Sequence, residues 1–314
     1  MFEWLADRSG QNILTNEEQV IFWKHFAGYA MSIQSKVLSI AESRRLVQRI
    51  SNTLRSQTTA IMRVQGYVFD GLLGQTGGGQ ALLYHVIKLS TGEIKCGKVY
   101  AINRDTEEIL SAERNGSSEV HIDGVNPYVV HYEDALSFKH QGAPYTAMIA
   151  LIMPLYQMNL TSVLDAFFEM PLQLNMFLKV ATCVLSAGAR FHELKKAHCD
   201  IKPENIMMLG SEFIVIDLGA VCSYGEQVRE HTPGYNLGAP LHILTPVFDL
   251  NCAAVTLARC CLSGFEVRQG LTKEELSHRV TAAETYLDRM YTDVLRACLR
   301  SADCGAALAV LHTL

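Results

Sequence analysis

No long apolar run, no Cys-x-x-Cys pair and no extended basic block occurs in these 314 residues. Each absence removes a class. A membrane-spanning helix needs about 20 consecutive apolar residues, so none is expected. Without paired cysteines at metal spacing, a zinc module is not expected. The charge is −5, from 27 basic and 32 acidic residues, and the basic pairs Arg44-Arg45 and Lys195-Lys196 stand alone. A nucleic-acid partner, which would call for a basic surface, is therefore not expected. Residues 1–14 carry acids and no long apolar core, so they do not read as an ordinary secretory signal.

What is present fits a sizeable globular protein. A hydrophobic content of 49% is enough for a substantial core and argues against disorder. The length suits two lobes or one domain with an appendage. The nine cysteines are odd in number and set in helix-like or strand-like surroundings, so they read as buried free thiols in the cytoplasm or another reducing compartment. A translocated effector lacks both a signal and a span, so delivery into a host cell stays open.

The stretch 198–219, HCDIKPENIMMLGSEFIVIDLG, carries the chemistry. Asp200, Lys202 and Asn205 fall within six residues, and a short apolar hairpin then leads to Asp217-Leu218-Gly219. Two acids and an amide around one hairpin suit phosphoryl transfer from a metal nucleotide. The pattern resembles the catalytic and metal-binding loops of the protein kinase superfamily, H-R-D-x-K-P-x-N followed by D-F-G. Cys199 replaces the Arg and Leu218 the Phe. The resemblance covers roughly 66–310. It implies an α+β, bilobal protein-kinase-like fold: a helical extension over 1–65, a small antiparallel-sheet lobe over 66–155 and a larger, mainly helical lobe over 156–314.

In the extension, two or three amphipathic helices are predicted from the spacing of apolar residues. They suit packing on a lobe or contact with a protein activator or regulator. From Val64 the pattern turns to strands over 64–69, 72–73, 82–89 and 93–100, then a helix over 105–115. A fourth strand is expected to start near Asn126, and a long helix spans 172–194.

The resemblance assigns roles residue by residue. Asp200 orients and deprotonates a substrate hydroxyl, Lys202 offsets phosphoryl charge, and Thr232 in His231-Thr232-Pro233-Gly234-Tyr235 contacts both. Asn205 and Asp217 hold Mg²⁺ (or Mn²⁺). Lys98 holds the ATP phosphates, steadied by Glu107 or Glu113. Gly77, Gly78 and Gly79 lie near the phosphate-cradling turn, but only Gly78 falls on a glycine position of G-x-G-x-x-G. Met153 and Leu155 border the adenine. Asp249 accepts backbone N–H groups of the catalytic loop. Leu241 stands where A-P-E has its Glu, and no Arg partner is seen near Asp303. Cys199 cannot dock a phosphate, so activity is expected not to depend on activation-loop phosphate docking. The expected activity is Ser/Thr protein kinase. The alternatives are a pseudokinase scaffold and a kinase-fold nucleotidyltransferase.

Overall fold

The computed structural model describes residues 62–75, 81–102, 104–139, 147–166 and 170–314. The expected N-terminal helices, which belong to residues before 62, and Gly77, Gly78 and Gly79 lie outside the described residues. The fold is mixed α+β, and the chain divides into two compact units. The first comprises the described residues up to Thr106 together with Tyr132–Leu155. The second comprises Glu107–His131 and Tyr156–Leu314.

The first unit is one antiparallel sheet. Its strands are β1 (Met62–Val64), β2 (Tyr67–Gln75), β3 (Ala81–Lys88), β4 (Ile94–Ala101), β5 (Asp134–Lys139) and β6 (Ala147–Pro154), in the order β1-β2-β3-β4-β6-β5. The stretch expected as one strand over 64–69 is a hairpin. Gln65 and Gly66 both take positive φ, 49° and 86°, and turn the chain back on itself. Two successive left-handed residues are what a two-residue hairpin of matching twist requires. Alternation then sorts the side chains. Phe69, Val86, Val99, Leu136, Ala150 and Ile152 form the core on one face. Gly97 belongs to this face, and a Cβ there would lie 2.7 Å from Val86 Cγ2 and 3.1 Å from the Phe69 ring. The absence of a side chain lets β4 pack.

The opposite face carries His85, Cys96, Lys98 and Met153, through the pairings His85↔Cys96, Cys96↔Met153 and Lys98↔Leu151. Lys98 is 4% exposed, with its ammonium 5.5 Å from the centre of the Tyr100 ring. No regular strand begins at Asn126. Val129 makes a single parallel bridge to Val215, and the strand comes later, as β5.

In the second unit, α1 (Arg104–Val120) runs five residues beyond the expected 115 and, from Glu107 onward, groups with the helices. Gly116 explains the attachment: a Cβ there would lie 3.5–3.7 Å from Val221 and Leu218. Next come β7 (Met158–Asn159), α2 (Leu160–Ala166) and α3 (Leu174–Glu193). The hairpin β9 (Ile206–Leu209) and β10 (Glu212–Val215) extends β7, while β8 (Lys196–Ala197) pairs with β11 (Cys222–Ser223). Four helices follow: α4 (Val247–Cys261), α5 (Lys273–Ala283), α6 (Arg289–Arg300) and α7 (Cys304–Leu311).

Helix α3 buries Phe177, Val180, Val184, Leu185 and Phe191 along one stripe, as its spacing predicts. Helix α4 is buried nearly all round, which makes it the axis of this unit. All nine cysteines are free and buried. No described helix is long and apolar enough to cross a membrane.

Candidate functional site

The candidate site lies in the second unit, where 198–205 crosses between β8 and β9. The loop is extended and carries Cys199 at φ 68°, a left-handed conformation unusual for a residue with a side chain. Asp249, from the first turn of α4, holds it there. Its Oδ2 accepts the His198 N–H at 2.7 Å and its Oδ1 the Cys199 N–H at 2.9 Å. Burial raises the Asp249 pKa, although the two N–H bonds and His198 pull it down. Two turns further along the same helix, Thr256 Oγ1 donates to the Ile201 carbonyl at 3.3 Å.

His198 is fully buried and links the two halves of the motif. Its Nδ1 lies 3.3 Å from the Asp200 N–H, and its Nε2 lies 3.0 Å from the carbonyl of Ile216. A neutral ring protonated on Nε2 satisfies both. The residue before Asp217 is thus fastened to the residue before Cys199. The Ile216 N–H adds a second tie, to the Asn205 carbonyl at 2.8 Å.

The structure brings Asp200, Lys202, Asn205 and Thr232 together. Asp200 Oδ1 accepts the Thr232 hydroxyl at 2.6 Å. Its Oδ2 lies 2.7 Å from Lys202 Nζ and 2.9 Å from Asn205 Nδ2. Lys202 Nζ also donates to Thr232 Oγ1 at 2.7 Å. The three donors converge on one carboxylate that keeps 17% of its side chain accessible. A hydroxyl arriving from solvent can therefore reach it.

Asn205 has a fixed sense. Its amide nitrogen donates to both the main-chain carbonyl and the carboxylate of Asp200, each at 2.9 Å. The amide oxygen is left facing the other way, free to act as a hard ligand. Asp217 takes φ 65° and ψ 76° at the entry to a short 3-10 turn, Leu218–Ala220. A Cβ on Gly219 would stand 3.6 Å from Asp217 Oδ1, 3.6 Å from Glu113 Oε1 and 2.9 Å from Ile109. The carboxylates of Asp217 and Glu113 thus border the same small space, which only a glycine leaves open.

The two candidate acids of α1 separate on this point. Glu113 is fully buried beside the Asp217 turn, whereas Glu107 is exposed. Lys98, Met153 and Leu155 belong to the first unit. There Lys98 and Met153 share a sheet face, and Leu155 follows β6 half-buried.

Cys199 is fully buried, its thiol directed at the Ala197 carbonyl, and burial raises its pKa well above the usual thiol range. A neutral buried thiol is neither a nucleophile nor a phosphate dock. The segment after Asp217 is fastened by other means. Tyr224 donates its N–H to the Lys195 carbonyl at 2.8 Å, and its hydroxyl meets His192 Nδ1 at 2.9 Å. Leu244 N–H reaches the Glu226 carbonyl at 2.7 Å, and Val228 N–H reaches Leu241 at 2.8 Å. Sequence reading missed His198 as a bridge and Arg259 altogether. The only signal for His198 was its place two residues before Asp200, and Arg259 had none.

No protein-family model matches the chain.

Proposed function

We propose that the chain transfers the γ-phosphoryl group of ATP to Ser or Thr hydroxyls of a protein substrate, as the protein kinases it resembles do. The observation that carries this reading is the Asp200 carboxylate, met at once by Lys202, Asn205 and Thr232 on a loop fastened to the Asp217 turn. Asp200 orients the incoming hydroxyl and takes its proton as the new O–P bond forms. Lys202 offsets the negative charge that builds on the moving phosphoryl group, and ADP leaves. Thr232 keeps Asp200 and Lys202 in register.

Asn205 and Asp217 are the residues that would hold Mg²⁺ (or Mn²⁺). The pinned amide of Asn205 fits that duty because it offers oxygen rather than nitrogen. Among the described residues no cluster of three His, Cys, Asp or Glu could hold a metal alone. The ion would take its remaining ligands from phosphates and water, as magnesium commonly does. Bound there, the metal would supply charge neutralisation on the phosphates. To Lys98 the resemblance gives the nucleotide phosphates; of the two acids it offers on α1, Glu113 is buried and Glu107 exposed. Activity without a docked activation-loop phosphate agrees with the buried Cys199 and with the hydrogen bonds that fasten 224–244 unaided.

The test is incubation of the full chain with ATP labelled at the γ- or the α-phosphate, with Mg²⁺ and candidate protein acceptors. Transfer of γ-label is expected, falling about 10²–10⁴-fold in Asp200→Ala and abolished in Asp217→Ala. Nucleotide binding without transfer would point to a pseudokinase, and retention of α-label alone to a nucleotidyltransferase. Either result overturns the proposal.

A further inference from the structure

Leu241 stands where the resembled pattern places an acid, so the segment that carries Thr232 lacks that ion pair. Another tether is present. Arg259, in the last turn of α4, keeps 25% of its side chain accessible and donates from Nη1 to the Tyr235 hydroxyl at 2.7 Å. The same nitrogen lies 3.4 Å from Glu204 Oε1.

Its two partners belong to the two halves of the catalytic group. Glu204 sits in the 3-10 turn Pro203–Asn205, between the lysine and the asparagine that meet Asp200. Tyr235 follows Thr232 by three residues, closes a turn onto the Thr232 carbonyl at 3.3 Å, and has its ring buried. Burial holds the Tyr235 phenol up at about 12, so it remains a neutral acceptor for the guanidinium throughout the physiological range. The segment beyond it is otherwise hard to hold. Leu237 is buried at φ 48° and Gly238 follows at φ 76°, two consecutive left-handed residues. The Asn236 side chain closes that turn onto the Ala239 carbonyl at 2.9 Å, while Asn251 of α4 donates to the Asn236 carbonyl at 2.9 Å. Helix α4 thus supports the catalytic loop from its first turn through Asp249, and the Thr232 segment from its last turn.

We infer that Arg259 is a positioning residue: by holding Tyr235 and Glu204 on one guanidinium it keeps Thr232, Lys202 and Asp200 in a single geometry. The tether rests on contacts alone, while its kinetic consequence rests on the phosphoryl-transfer reading. The planar fork suits this duty better than an ammonium, because it donates in fixed directions and stays charged.

The experiment has two readouts on the full chain, for Arg259→Ala and Tyr235→Phe. The first is amide hydrogen exchange across residues 232–239. The expected result is exchange faster by about tenfold in both variants, with the unfolding midpoint in urea little moved. Unchanged exchange in Tyr235→Phe, which removes only the hydroxyl and leaves the ring in place, overturns the inference even if Arg259→Ala fails to fold. The second readout is steady-state γ-phosphoryl transfer. The expected result is kcat lower by about 10–100-fold with the KM for ATP unchanged, because Arg259 acts through Tyr235 and Glu204 and not through the residues assigned to the nucleotide. A loss carried in KM for ATP, or one that tracks global unfolding, overturns it. Should the wild-type chain transfer no label, the functional reading falls, and exchange alone decides the tether.

Discussion

The two units hold their candidate site residues in opposite ways. In the first, Lys98 sits where strand register puts it. Its position depends on many apolar pairs across β3, β4 and β6, none of them individually decisive. In the second, the loop around Asp200 depends on a few buried polar contacts from single side chains: Asp249, His198 and Asn205. Distributed packing absorbs part of a loss, because neighbours relax in part. A polar hub does not, because each partner left behind is a polar group, donor or acceptor, without its counterpart. A substitution in the hub should therefore cost more than one of similar size in the sheet.

The sharpest test of that contrast is Asp249→Ala. It removes the acceptor of two buried N–H groups and releases a left-handed cysteine. The expected loss is about 3–5 kcal/mol in urea unfolding, together with loss of phosphoryl transfer. A loss under about 1 kcal/mol would show that water enters and replaces the carboxylate, and the contrast would fail.

In the sheet, the most demanding position is Gly97. The added methyl of Gly97→Ala meets Val86 and Phe69, and an overpacked core costs about 1–3 kcal/mol. Pairing Gly97→Ala with Val86→Ala, which clears the nearest contact at 2.7 Å, should recover part of that loss. No comparable rescue is expected for Asp249→Ala, since no neighbouring truncation supplies an acceptor. Recovery absent in the sheet would mean that the strain lies in the backbone rather than in the packing.

The smallest expected effect concerns pH. His121, just past α1, accepts the Asn126 N–H on Nδ1 at 2.8 Å and faces the Val130 carbonyl from Nε2 at 3.0 Å. Only a neutral ring does both. Burial lowers its pKa below the ordinary 6.5, with His131 and Arg190 acting in the same direction and the Val130 carbonyl opposing. A histidine harder to protonate when folded binds fewer protons than the unfolded chain does. Its contribution to stability is present above 6.5 and is lost as pH falls from there toward the lower folded value. His121→Asn, which keeps an acceptor but does not titrate, should show a shallower decline of stability with acid than the wild type. Equal slopes in paired urea titrations would remove His121 from the account.

Legibility in the sequence follows the same division. The residues that meet at Asp200 share a short stretch or a recognisable flank, so the resemblance points to them. The left-handed φ of Cys199 depends on Asp249, remote in the chain, and the difference between Glu113 and Glu107 is one of burial; no local pattern encodes either. The Gln65-Gly66 turn escaped because an unbroken run of strand-forming residues masks a two-residue reversal unless the glycine is weighed. The strand expected at Asn126 failed because the Tyr128 carbonyl and the Val130 N–H are spent on Val215, a partner remote in the chain. Arg259 was invisible for the same reason, as both its partners are distant in sequence.

The bond between Val130 N–H and the Val215 carbonyl, at 2.9 Å, has a practical use. Val215 stands two residues before Asp217, and Val130 carries the carbonyl that the His121 ring faces. Adjoining main-chain contacts therefore run from the Asp217 turn to an imidazole. Under the proposed function, the ring signals of that histidine are the place to look for occupancy of the carboxylate, a spectroscopic probe already built into the native chain.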